Sequence, residues 1–376
     1  VFIKIRHSAG RDLSDLLKRF KEEEAIDMKI EQQTFGTFEG QEVIQYHLTN
    51  QSGMTLSALN YGAVVTAIRV PDREGHFKNV ALGFDKFADY PAFSPYFGAA
   101  VGRVAGRIDG ASFKLNGKKY TLSANEGMNQ LHGGKDNFSK KIWQVETAQQ
   151  ADQASLIFTY VSPAGENGYP GNLHACIRYT LNEQNEWRIT YSADTDAPTL
   201  YNPTNHIYFN LTGSQERSVA GHELQLDSSR YAVLRRDSIP TGELRSVGGT
   251  VFDFREARVI ADGLVSDDPQ IRLMGGYDHP FVLDHSSRVV AVLYEPLSGR
   301  KVEMETSEPA VVIYSGNKLD GSFSIDGIPA EAYGGITLET QHLPDAVHHE
   351  AFESIELRPG RPFSSTTVFR FTTAEK

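Results

Sequence analysis

Histidines, acids and arginines stand in a few short polar stretches whose residue types suit acid–base work on a hydroxylated ligand. In YNPTNHIYFNLTG (201–213), extended chain would put His206, Tyr208 and Asn210 on one face and Ile207, Phe209 and Leu211 on the other. The apolar set reads as core, and the polar set as the floor of a groove or the wet side of a sheet. A histidine among tyrosine and asparagine can have its tautomer fixed and its pKa tuned near neutrality, as a proton donor requires. GGITLETQHLPDAVHH (334–349) places Thr337, Glu339 and Gln341 on one side of a strand, with Ile336 and Leu338 facing the other way. GGYDHPFVL (275–283) presents Asp278 directly after a Gly-Gly turn. NQLHGGKDNF (129–138) puts His132 before Gly133 and Gly134, which allow a sharp turn and close approach of a ligand. GRVAGRIDG (102–110) sets Arg103 and Arg107 among glycines, as surface charges, clamps on carbonyls or donors to a ligand. Carboxylates accept, arginine donates and neutral histidine does both. These groups, converging on one sheet face, could bind a polyhydroxylated molecule.

Other chemistries find less support. His342, His348 and His349 suggest a metal, but no HExxH or comparable ligand spacing accompanies them. There is no Walker sequence and no GxSxG, and GRVAG is too short for a dinucleotide loop. The single cysteine, Cys176, lies in a strand pattern and reads as a core residue rather than a nucleophile.

The elements that must position these groups are nearly all strands. Residues 11–30 place Leu13, Leu16, Leu17 and Phe20 at helical spacing, a surface helix or an appended leader. From Thr34 the texture changes. SFKLNGKKYTL (112–122) is a hairpin signal around Asn116-Gly117, the pair suited to a type I′ turn. Alternating runs at 64–70, 78–84, 173–181, 186–193, 222–227, 288–295, 301–306 and 310–316 repeat the pattern, with 33 glycines and 16 prolines to supply turns. The expectation is one large antiparallel β-sandwich over residues 34–376, preceded by a helical extension over 1–33.

Composition narrows the partners. Of the 376 residues, 40% are hydrophobic and 23% charged, as in a packed globular protein. A formal charge of −11 with no Lys/Arg block argues against nucleic acid. No apolar run is long enough to span a membrane. One cysteine and an N-terminus without a signal-like apolar stretch point to the cytoplasm, although a removed export signal would leave the same sequence. Oligomeric state leaves no trace.

Taken in order, GRVAGRI, LHGG, NPTNHIYFNL, GGYDHPF and LETQHLPDA resemble the aldose 1-epimerase (galactose mutarotase) family over about residues 34–376. The resemblance implies a large antiparallel β-sandwich with a sugar groove on one sheet, a free aldose such as galactose or glucose as partner, and no cofactor or metal. It also implies roles: His206 as general acid, Glu339 as general base, and Arg107, His132 and Asp278 as holders of sugar hydroxyls. The family often has Asn immediately before the motif's second arginine, where this chain has Gly106. It commonly has Gln two positions before the tyrosine that Tyr314 matches, where this chain has Val312. Both replacements remove a hydrogen-bonding side chain and bear on sugar preference. A hexose-6-phosphate epimerase, a glycoside hydrolase using Asp278 and Glu339, and a non-catalytic carbohydrate-binding protein remain as alternatives.

Overall fold

The computed structural model describes residues 28–374. Its strands form three main antiparallel sheets of five, nine and six strands. The five-stranded sheet is a meander over Lys29–Phe38, Gln41–Thr49, Thr55–Leu59, Val65–Pro71 and Phe77–Asn79. The nine-stranded sheet is built around the long neighbours Gln153–Ser162, Leu173–Asn182, Glu186–Thr195 and Phe363–Thr373. The six-stranded sheet runs in the order Tyr208–Phe209, Ile336–Gln341, Ala310–Tyr314, Asp278–Val282, Arg230–Leu234, Pro240–Ser246.

Alternation along the strands explains how the sheets stack. Leu156 and Phe158, Ile177 and Tyr179, and Ile189 and Tyr191 of the nine-stranded sheet turn inward. There they share one buried cluster with Leu56 and Val65 of the five-stranded sheet. From the six-stranded sheet, Phe281, Val311, Ile313, Ile336 and Leu338 join the same cluster. Phe209 reaches across to Phe369 and Phe371, with ring centroids 5.3 and 6.2 Å away. Burying one such ring stabilises the fold by about 1.5–3 kcal/mol. The result is an all-β sandwich, as the alternating runs imply.

Most of the expected strands are present, including the 112–122 hairpin, whose Asn116 and Gly117 both have positive φ as a type I′ turn requires. Four features differ. Residues 11–27 of the expected helix lie outside the described residues, and Lys29 and Ile30 at its end open a strand. Among the described residues three short helices, Asp89–Phe93, Ala261–Leu264 and Pro269–Met274, interrupt the strands. The 201–213 stretch is not one strand: Thr204–Asn205 pairs with Ala100–Val101, and Tyr208–Phe209 pairs with the Glu339 strand. Cys176 is half-buried rather than core, because Leu173, Ala175, Ile177, Tyr179 and Leu181 take the inward positions and leave it on the opposite face.

Candidate active site

The outer face of the six-stranded sheet carries the polar constellation. Register places Pro280, Val312 and Glu339 in one row across three strands. Asp278, Tyr314, Thr337 and Tyr208 form the row on one side of it, and Val282, Ala310 and Gln341 the row on the other. Loops close over this face and leave a cavity of about 190 Å³. Its lining includes Arg107, His132, His206, Asp278 and Glu339, the residues singled out from the sequence. That volume is below the ~300–1,000 Å³ of drug-sized sites, which suits a single small ring.

Each side chain is held by its own segment. The His206 backbone is gripped by the 98–99 turn: its N–H donates to Ala99 O at 2.9 Å, and its carbonyl accepts from Gly98 N–H at 3.1 Å. Asn202 bonds both the N–H and the carbonyl of His342, fixing this segment against the end of the Glu339 strand. His206 Nε2 then lies 3.4 Å from Glu339 Oε1, which also accepts from Thr337 Oγ1 at 3.0 Å. His132 sits at φ 52, and Gly133 must be glycine, since a Cβ there would fall 2.1 Å from Gly102 O. The His132 N–H donates to Gly106 O at 2.8 Å, and its Nδ1 accepts from Gly106 N–H at 3.2 Å. The two glycine-rich loops are thereby locked together, and their Gln130–Leu131 and Arg107–Ile108 segments pair as strands.

Gly106 has φ 70, and a Cβ there would lie 2.7 Å from Pro344 Cβ. Glycine at this position thus admits Pro344 to the cavity wall, which the larger side chain common in the resembling family would displace. Arg107 is held by both Glu126 oxygens, one at 2.8 Å from Nη2. The two arginines of GRVAGRI part company here. Arg103 is buried away from the cavity and clamps Ser162, Pro163, Pro170 and Thr199. His342 instead pairs with Glu308, and His348 and His349 with Asp345, outside the cavity.

Several lining residues were not assigned a role from sequence. Tyr96 packs edge-on to His132 with centroids 4.7 Å apart, and lies 5.7 Å from His206. Tyr208 and Tyr314 flank the histidine on the sheet side. Glu126 pairs with Arg107, and Lys318 approaches Asp278 at 3.9 Å. Tyr208 was legible as a polar-face member of its stretch and Tyr314 only as a motif match; Glu126, Tyr96 and Lys318 come from loops and gave no pattern.

Electrostatics follow from enclosure. Burial pushes Glu339 up to about 8, with Thr337 and Arg107 opposing. Burial pulls His206 down to about 3, and Arg107 adds to the effect. Asp278 is raised by burial against the pull of Arg107 and Lys318, and His132 is driven well below the usual range by burial and the neighbouring cations. For Arg107, burial works against the charge but Glu126, Asp278 and Glu339 outweigh it. Both shifts run toward the neutral forms, the protonated carboxyl of Glu339 and the uncharged imidazole of His206. Burial penalises the charged form of each group, so the two shifts have one physical cause.

His132, His206 and Glu339 offer ligand atoms within 4.8 Å of one another. They suit a cation poorly. His132 Nδ1 already accepts from Gly106 N–H, so its neutral ring carries the proton on Nε2 and has no free lone pair there.

A buried histidine–carboxyl contact, ringed by donors and acceptors on a sandwich sheet, defines an antiparallel β-protein suited to proton transfer in a small polar pocket. The chain belongs to the aldose 1-epimerase family, whose model matches residues 45–370. It is 37% identical to the aldose 1-epimerase of Escherichia coli K12 over 329 residues, covering 86% of this chain and 94% of that one. It is likewise 37% identical to human galactose mutarotase, covering 85% and 92%. Among solved structures, galactose 1-epimerase from Lactobacillus acidophilus superposes with a TM-score of 0.84 at 30% identity, covering 93% of this chain and all of that one.

Proposed function

We propose that this protein is an aldose 1-epimerase, interconverting the α- and β-anomers of free hexoses such as galactose and glucose. The observation that carries the reading is the 3.4 Å contact between His206 and Glu339 in the wall of a ring-sized cavity. Ring opening requires the C1 hydroxyl to lose a proton while the ring oxygen gains one. Glu339 takes the proton from O1 and His206 delivers one to O5. The C1–O5 bond breaks as C1=O1 forms, and the open aldehyde rotates about C1–C2. Closure from the other face reverses both transfers, so the pair ends with the single proton it began with.

Proton transfer across the 3.4 Å His206–Glu339 contact gives the carboxylate–imidazolium form that these steps use. Hydroxyl donors of a bound sugar favour the carboxylate, as Arg107 does, while Arg107 works against the imidazolium. Arg107, His132 and Asp278 hold the remaining hydroxyls, Arg107 donating and Asp278 accepting. Positioned acid and base groups typically contribute about 10²–10⁴-fold each. Uncharged sugars fit better than phosphorylated ones, because Arg107 and Lys318 each face an acid, Glu126 and Asp278. No helix among the described residues is long and apolar enough to cross a membrane, and we place the enzyme in the cytoplasm, where the sugars would be free.

Polarimetry on freshly dissolved α-D-galactose and α-D-glucose tests the reading. Faster relaxation to the same final rotation is expected, whereas relaxation unchanged by added protein with both sugars would refute it.

A further inference from the structure

Gln341 is the buried cavity-lining side chain with neither of its polar atoms bonded: amide nitrogen and oxygen both lack a partner. It is fully buried, and it shares the groove face with Glu339, two residues away on the same strand. Its row neighbours, Ala310 and Val282, are apolar and offer nothing to bond. A primary amide left without partners in an apolar setting is costly, so an unmet donor and acceptor at this position call for an occupant that supplies both. A sugar hydroxyl does, since it donates and accepts through one atom. Glu339 is almost as enclosed as Gln341, at 3% exposure against 0%, so seating the sugar makes the same small demand on both side chains.

We propose that Gln341 is a specificity-determining residue whose amide reads the hydroxyl on C2, beside the reacting carbon. The assignment rests on the epimerase reading. Thr337 and His206 both meet Glu339 at Oε1, which sets the ring-oxygen side of the anomeric carbon there. Gln341 lies on the other side of Glu339 along the strand, where the second substituent of C1, the carbon bearing O2, would stand. The apolar Pro280 and Val312 beside Glu339 leave no competing side-chain polar group in that row.

The test compares the unaltered protein with Gln341→Met, which keeps the side chain's length and loses no existing hydrogen bond, and with Gln341→Ala. The sugars are D-galactose, 2-deoxy-D-galactose and 6-deoxy-D-galactose. Each variant should lose about 10–100-fold in kcat/KM on galactose and on the 6-deoxy sugar, because a site built around a hydroxyl discriminates strongly. On the 2-deoxy sugar the loss should nearly vanish. An equal loss on all three sugars would mark a merely structural role and overturn the assignment. So would no loss, or a loss that vanishes with the 6-deoxy sugar instead. These outcomes leave the unaltered enzyme active. Failure of that enzyme on every sugar would instead remove the epimerase reading, and this assignment with it.

Discussion

At the scale of single residues, burial sets the chemistry. Burial moves Glu339 up to about 8 and His206 down to about 3, which sets the range over which the pair is expected to carry one proton. A raised carboxyl pKa means the proton stays until the pH passes that value, and a lowered imidazole pKa means a second proton arrives only in strong acid. Since kcat/KM reports the free enzyme, it should be level through neutrality and fall above about 8, when the pair loses its only proton. It should fall again near about 3, when the second proton arrives and no base is left. Rates measured from about pH 2.5 to 10, corrected for the uncatalysed reaction, check this. A profile already falling at pH 6.5 would instead mean an ordinary imidazole. The residue types themselves were legible, as were their faces: Ile336 and Leu338 inward, Thr337, Glu339 and Gln341 outward. What the sequence did not reveal was enclosure. His206 reads equally well as wet or buried until the loop carrying Tyr96 is seen beside it, and the proton's location follows from that.

At the scale of elements, backbone conformation decides what can stand where. Gly106→Ala adds a Cβ against Pro344 at a residue with φ 70. It should cost about 1–3 kcal/mol in urea unfolding and raise KM, since Pro344 walls the cavity; unchanged stability would contradict this. Arg103→Met removes the clamp on the carbonyls of Ser162, Pro163 and Pro170. We expect a loss of about 3–5 kcal/mol, with kcat/KM per folded molecule retained because Arg103 lies outside the cavity. Selective loss of activity at full stability would reverse that view. Two arginines four residues apart in one motif have separate duties, and spacing alone could not tell them apart. Strands were readable because each buries one face, so alternation survives in the composition. The Pro269–Met274 helix was missed although Asp268 caps it and Gly275 ends it at φ 73. Six residues are too few to show a helical stripe, so caps were the available signal.

At the scale of the whole molecule, three sheets draw on one main buried cluster. Both tryptophans, Trp143 and Trp187, lie in it. We read the sandwich as a single cooperative unit, so Trp fluorescence and far-UV circular dichroism should report one coincident urea transition. Two separated transitions would show that the sheets unfold independently. The sandwich holds His206, from a segment bonded to the 98–99 turn, against Glu339, from a strand of the six-stranded sheet. The most direct measurement is the rate of α-D-galactose mutarotation by Glu339→Gln, alongside the unaltered protein. The substitution keeps size and hydrogen bonding but removes the base, and the rate should drop by about 10²-fold or more with the fold intact. Mutarotation at the unaltered rate would contradict the role of Glu339 as the base.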